Sequence, residues 1–338
     1  MTTPESSRNM SSFGTVVALT GATGFVGRNL ALALLAAGYS VRALVRNREK
    51  ARDVLPNDRR LSMVIGDAAN LNDARELLRG ANICINLVGI IREDRKTGQT
   101  FQRIHVDVTR VLVAACEELG VQRFLQMSAI GASDTGVCAY QTSKFDGENA
   151  LRLSKLKWTI MRCSMIHGKD GEFIQQAQQW CKGEAAPWFF LPYFTGGKED
   201  PRVPLGGTNP VAARIAPVAV EDVCAAFINA ISKDATFGEI YNLSGPDAMT
   251  WPQMLTTIRD NTPGAHKFSP FGIPAELAAL KAKAMQAIGL GSLLPFDEGM
   301  AKMGAQDSFA DLTKARQDLN FAPRPFARSY AAYAHAGH

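Results

Sequence analysis

Thr15-Val16-Val17-Ala18-Leu19-Thr20-Gly21-Ala22-Thr23-Gly24-Phe25-Val26-Gly27, residues 15–27, is the stretch whose reading decides the fold. The run from Thr15 to Thr20 is short, apolar and β-branched, as expected for a strand buried on both faces. Three glycines follow at equal spacing. Gly21 permits a tight turn, Gly24 lets the backbone approach a pyrophosphate, and Gly27 lets the following helix pack closely on the strand. The turn opens a helix expected to run through Ala37, and Thr23, Phe25 and Val26 join the three glycines as candidate cofactor-binding residues. The helix N-terminus presents free N–H groups and the positive end of a dipole to phosphate oxygens. A glycine pattern alone is weak. A strand before it and a helix after it make it a dinucleotide-binding turn.

Outward from this turn, the same rhythm repeats. Strands are expected at Val41 to Arg46, Leu61 to Ile65, Ile83 to Leu87, Phe124 to Met127 and Trp158 to Arg162. Helical patterns separate them, such as Val106 to Leu119 with Val108, Val111, Leu112 and Ala115 on one face. Strand and helix in alternation mean βαβ crossovers, hence an α/β chain with a Rossmann-type, doubly wound parallel sheet. After Ser164 the rhythm breaks. Trp188 to Pro210 reads as loops and an irregular lobe, and Pro217 to Ala230 as a short strand running into a helix. A strand at Glu239 to Leu243 and helices at Trp251 to Arg259 and Pro274 to Ile288 follow. The expected division is a disordered tail over 1–13 and an NAD(P)-binding Rossmann domain over 14–164. A smaller mixed substrate lobe over 165–330 would return in part to the sheet.

Of 338 residues, 46% are hydrophobic and 20% charged, an ordinary globular balance that excludes disordered and fibrous classes. The net charge of +5 is spread without a long basic run, which suits anionic ligands and gives no ground for a nucleic-acid partner. Six cysteines form no CxxC pair and read as reduced, buried thiols without a zinc site. Met1 to Phe13 has no apolar core of a secretory signal, and no window approaches the ~20 apolar residues of a membrane-spanning helix. A cytoplasmic protein is expected.

Several residues carry candidate chemistry. The end of the second strand lacks the acid that would grip a ribose 2′-hydroxyl and has Arg46 instead, with Arg48 and Arg28 near it. A guanidinium there suits a 2′-phosphate, so NADP(H) is favoured over NAD(H); the bland alternative is solvated surface arginines. Asp67 and Ala68 follow the third strand, where a carboxylate can take an adenine amino group. Val88 and Gly89 end the fourth, where small residues let the backbone lie along the cofactor. Tyr140 and Lys144 are four apart, hence on one helical face. Lysine there can anchor the nicotinamide ribose and favour the phenolate of its neighbour, making Tyr140 a general acid or base. Ser128, closing the fifth strand, is a candidate for orienting a substrate carbonyl or a plain turn serine.

Together these residues resemble the short-chain dehydrogenase/reductase superfamily, in its extended or atypical branch. The features are Gly21 to Gly27, Arg46, Gly66-Asp67-Ala68, Asn86 to Gly89, Met127 to Ala132, Tyr140 to Lys144 and Met161 to Ser164. Val88 to Glu93, Phe101 to Asp107, Ser128 to Ala132 and Leu293 to Asp297 look, more narrowly, like bacterial relatives of the nucleotide-binding accessory subunit of respiratory complex I. The resemblance implies tight NADPH binding at Gly21, Gly24, Gly27, Arg46, Asp67, Gly89, Tyr140 and Lys144. It runs from about Val16 to Pro325 and is looser after Ser164. Two departures bear on turnover. Cys163 stands where the family usually has proline, and if Ile130 rather than Ser128 takes the place of the family's hydroxyl residue, the catalytic triad is incomplete.

Two functional readings stay open. In the first, implied by the resemblance, the nucleotide is a structural or redox element of a binding or assembly protein. Leu277, Leu280, Met285, Ile288 and Leu293, with Lys281 and Lys283, could then dock on a protein complex or on the inner face of a membrane. In the second, Tyr140, Lys144 and Ser128 form the site of an active NADP(H)-dependent reductase, epimerase or dehydratase on a small carbonyl or sugar-like substrate.

Overall fold

The computed structural model describes residues 14–199 and 208–334, so the expected tail at 1–13 lies outside the described residues. Seven strands form the central sheet: β1 (Val16–Thr20), β2 (Ser40–Val45), β3 (Leu61–Ile65), β4 (Ile83–Asn86), β5 (Arg123–Ala129), β6 (Lys157–Cys163) and, from beyond Ser164, β12 (Glu239–Leu243). Their order is β12-β6-β5-β4-β1-β2-β3, and every pairing is parallel. The chain leaves β1 toward β2 and β3, then returns to its other side at β4. A crevice opens at such a reversal, outside the carboxyl ends of β1 and β4, where ligands bind in open α/β sheets.

Alternate residues of each strand enter two different cores, the consequence of a period of two. Val17, Leu19, Ile83, Ile85 and Leu125 pack beneath α1 (Phe25–Ala36), α7 (Val220–Ile231) and α11 (Thr313–Leu319). Ala18, Cys84, Phe124 and Ile160 pack beneath α3 (Leu71–Leu78), α4 (Val108–Leu119) and α5 (Ala139–Arg152). Both faces are thus covered, which is why these strands read as unbroken apolar runs. On β2's far side, α2 (Arg48–Val54) is capped by the Asn47 side chain, which accepts from Lys50 N–H.

Two expectations are corrected. The helix expected from Val106 begins earlier, as a π-helical turn over Gln102–Asp107 that continues into α4. Part of the expected irregular lobe is ordered sheet. β8 (Leu191–Glu199) pairs with β9 (Thr208–Ala212) and with β14 (Pro270–Pro274), while 200–207 lie outside the described residues. Prolines and glycines hide β8 in the sequence; its neighbours on both sides supply the ladder partners that local propensity does not.

The rest of the second half consists of short strands and helices. The short strands β7 (Ile166–His167) and β11 (Val218–Ala219) pair with each other, as do β10 (Arg214–Ile215) and β13 (Met249–Thr250). The helices are α6 (Glu172–Lys182), α8 (Trp251–Asp260), α9 (Ala275–Ala287), α10 (Glu298–Gly304) and α12 (Phe326–Ala334). No helix among the described residues is long and apolar enough to cross a membrane.

Candidate nucleotide-binding site

The turn after β1 has little freedom to be anything else. Gly21 has φ +69°, and a Cβ on it would lie 3.0 Å from the Leu87 carbonyl carbon at the end of β4. A Cβ on Gly27 would lie 2.0 Å from the Gly21 carbonyl oxygen, so only glycine lets α1 seat this close. Gly24 is the extended N-cap of α1 and offers no side-chain acceptor to the first N–H groups of the helix. Those donors are left for an exogenous acceptor. Thr23 and Gly24 are exposed at the rim, Val26 and Gly27 are buried, and Phe25 packs on the Gly168–Gly171 loop.

A buried polar string holds the strand ends in place. The Thr20 hydroxyl donates to Asn86 Oδ1 (2.6 Å), which also accepts from Val88 N–H (3.2 Å). Asn86 Nδ2 donates to Gln126 Oε1 (2.9 Å), joining β1, β4 and β5. Such fully satisfied buried networks specify one arrangement of the backbone.

Beside them α5 presents Tyr140, Lys144 and Glu148 at successive turns. Lys144 is 6% exposed, and no described residue accepts a hydrogen bond from its ammonium. A Cβ on Gly89 would come within 2.9 Å of its Nζ, so the glycine is what admits it. Burial lowers the Lys144 ammonium to about 8. Its Nζ lies 5.9 Å from the Tyr140 ring centre, and burial raises the Tyr140 phenol above its ordinary value. Burial thus acts against the drift toward phenolate that a neighbouring ammonium favours. Burial also pushes the neighbouring Cys163 thiol up to about 12, opposed by Lys144.

His105, on the π-helical turn before α4, stands inside this site. Its Nε2 accepts from Ile90 N–H (3.2 Å), which places the proton on Nδ1. Nδ1 then donates to Ser143 Oγ (2.9 Å), and Ser143 donates to the Tyr140 carbonyl (3.0 Å). The ring stacks on Phe101 at 5.4 Å and meets Tyr140 edge-on at 5.5 Å. Burial, with Lys144 nearby, drives its pKa down to about 2, so it is neutral. The π-helical turn carries it inward, and such turns are frequent at functional sites.

Ser128 is elsewhere engaged. Its hydroxyl donates to Glu148 Oε1 (2.5 Å), whose carboxylate is gripped by Arg162 at 2.8 and 2.5 Å. Glu148 is 1% exposed, so this is a buried, bidentate charge pair. Ser128 is thus not brought to Tyr140 as a free hydroxyl. Asp67 is half-exposed and paired with Arg103 at 2.5 Å, next to the buried Ala68. Arg28 bonds the Asp170 carbonyl at 3.0 Å, tying α1 to the loop after β7. Arg48 reaches the Met63 carbonyl at 3.5 Å. Arg46 alone of the three arginines is exposed with no hydrogen bond or ion pair among the described residues.

Comparison with known proteins agrees with this geometry. Residues 21–183 match the model of a family described as NAD(P)H-binding. The chain is 28% identical over 251 residues to NADH dehydrogenase (ubiquinone) 1 alpha subcomplex subunit 9, mitochondrial, of Arabidopsis thaliana, covering 73% of this chain and 58% of that protein. It is 35% identical over 156 residues to a ceramide reductase of Caulobacter vibrioides, covering 45% of this chain and 47% of that protein. The chain therefore spans only about half to three-fifths of these relatives' own length. Among solved structures, a UDP-glucose 4-epimerase of Thermotoga maritima superposes with a TM-score of 0.69 at 17% identity, over 94% of this chain and 96% of that one. A UDP-glucuronic acid 4-epimerase of Bacillus cereus, solved with NAD, gives 0.67 at 15% identity over 93% and 95%. The glycine turn, Tyr140 and Lys144 lie within the span that matches the NAD(P)H-binding model, and the chain shares the fold of these epimerases.

Proposed function

We propose that this protein holds NADPH as a resident structural or redox element, and that turnover is secondary to binding. The nucleotide would lie across the crevice with its pyrophosphate at Gly24 to Gly27, its nicotinamide ribose on Lys144 and its 2′-phosphate at Arg46. Residues 14–164 would carry it, with the lobe after Ser164 closing over it. The observation that carries the reading is the bond from Ser128 to Glu148, itself clamped by Arg162. The hydroxyl that would orient a carbonyl is already committed, and Tyr140 stands without a hydroxyl partner. The relatives named as subunits of an NADH dehydrogenase support a place within a multi-subunit assembly.

The test is mass spectrometry and absorbance on gently purified protein, followed by a panel of carbonyl compounds. NADPH that co-purifies and stays reduced is the expected result. Rapid oxidation by one substrate class would overturn the binding reading.

A second reading, an active reductase, epimerase or dehydratase, is favoured by one observation: Lys144 Nζ stands 5.9 Å from the Tyr140 ring on the same face of α5, where burial favours the protonated phenol. The bound nucleotide would supply hydride. Tyr140 in that form is the proton donor a carbonyl oxygen needs as hydride arrives. Under it, Tyr140→Phe would lose turnover by about 100-fold or more while keeping nucleotide affinity.

A further inference from the structure

Helix α9 reverses the usual arrangement of an amphipathic helix. The side it turns to the protein is alanine: Ala275, Ala278, Ala279 and Ala282 are its buried residues. Its large apolar residues face out, Leu277 at 64% and Leu280 at 66% exposure, with Ile288 at 67% and Leu293 at 71% just beyond its end. Leu277, Leu280, Lys281, Ala284 and Ile288 recur at steps of three and four, so they form one outward stripe. A helix in water gains by turning leucine inward. This one keeps its leucines for something outside the described residues.

The charges say what. Lys281 lies within the stripe and Lys283 on its flank, and neither makes an ion pair among the described residues; Glu298 is bonded by Lys302 at 2.6 Å, and Lys283 adds only to the field that holds its carboxyl below the ordinary value. Lysine is depleted in the cores of protein–protein interfaces. An apolar stripe edged by exposed ammonium groups is instead the pattern of a helix lying in the headgroup plane of an anionic bilayer. The chain's net charge of +5 acts in the same direction.

The turn after α9 is also fastened to the nucleotide site. Arg92 donates to the Leu294 carbonyl (2.8 Å) and to the Gly291 carbonyl. Arg92 belongs to the loop in which Gly89 abuts Lys144 and Ile90 bonds His105. One short loop therefore touches the site on one side and the outward turn on the other.

We propose that the face from Leu277 to Leu293 docks on an anionic bilayer surface, and that Arg92 couples this docking to nucleotide occupancy. The coupling rests on the nucleotide reading; the docking does not. By reciprocity, whatever NADPH does to vesicle affinity, vesicles do to NADPH affinity.

Co-sedimentation of the full chain with phosphatidylcholine vesicles, with and without phosphatidylglycerol, tests it. Pelleting is expected only with the anionic vesicles, weakening at high salt. Leu280→Glu and Leu293→Glu should each lose about 10-fold or more in partitioning, and Lys281→Glu about 5-fold. Both leucines are exposed, so unchanged melting and NADPH titration would show these variants folded. Arg92→Ala should still pellet but lose the effect of NADPH. A chain that stays in the supernatant with anionic vesicles at low salt overturns docking, as does a Leu280→Glu variant that pellets like the parent. A dimer abolished by Leu280→Glu, without vesicle binding, would overturn it in favour of a second copy on this face. Vesicle binding in a protein that takes no NADPH would leave docking standing and remove the nucleotide reading and the coupling together.

Discussion

At the scale of single residues, Lys144 and Arg46 are the two cations of the candidate site without a hydrogen-bond or ion-pair partner among the described residues, one buried and one exposed. Lys144 is held near 8 by burial, so it sheds its proton as pH rises through that value. NADPH affinity should therefore be steady below pH 8 and fall above it, read by fluorescence titration; Lys144→Met should bind weakly at every pH with no such inflection. Arg46→Ala should cut the preference for NADPH over NADH by roughly 10-fold, about 1.4 kcal/mol, when the two nucleotides are titrated in parallel. A preference left unchanged would make Arg46 a solvated surface group. Glu148→Ala leaves Arg162 without its carboxylate, and a loss of about 3 kcal/mol in denaturant unfolding is expected.

At the scale of elements, the strand–turn–helix unit depends on one missing Cβ. In Gly27→Ala the new carbon would sit 2.0 Å from the Gly21 carbonyl oxygen and 2.7 Å from Ala22 Cα, both backbone atoms that cannot swing aside. The first turn of α1 must lift from β1, and the unpaired N–H groups proposed to meet phosphate lift with it. A cost above about 2 kcal/mol is expected in urea unfolding, together with loss of nucleotide. This element was readable locally, because glycine spacing, β-branched run and helix onset are consecutive. β8 was not. Its Pro192, Gly196 and Gly197 spell a loop, and only pairing with β14 and β9 makes them a strand.

At the scale of the whole molecule, two buried histidines add to the response to acid. His167 in β7 meets Tyr333 (2.9 Å) and Ser329 (3.3 Å) of α12, and burial holds its pKa near 4; His105 is held near 2. Both fall below the value of an unfolded histidine, about 6.5, so the unfolded chain binds more protons between the two limits. Their contribution is complete above about pH 6.5 and is lost as pH falls through the window, to about 4 for His167 and further for His105. The expected slope is about 1.4 kcal/mol per pH unit for each histidine. His167→Gln should remove one share of that slope in urea unfolding measured at several pH values; an unchanged slope would mean that His167 is already charged in the folded state.

Much of the fold and part of the candidate site are legible in consecutive residues. The glycine turn, the apolar strands, the helical step from Tyr140 to Lys144 and the missing acid at Arg46 are short-range patterns, and backbone sterics and hydrogen bonding act at that range. What neighbours what across the sheet is another matter. Ser128 meets a carboxylate 20 residues on, Arg28 a loop 142 residues on, and Arg92 a turn about 200 residues on. Strand order and crossover packing make those meetings, and they turn the expected carbonyl orienter into part of a buried charge cluster. They also bring His105 beside Tyr140. Periodicity is a property of the chain, whereas burial and pairing are properties of the packed molecule, since each depends on atoms that local sequence does not bring together.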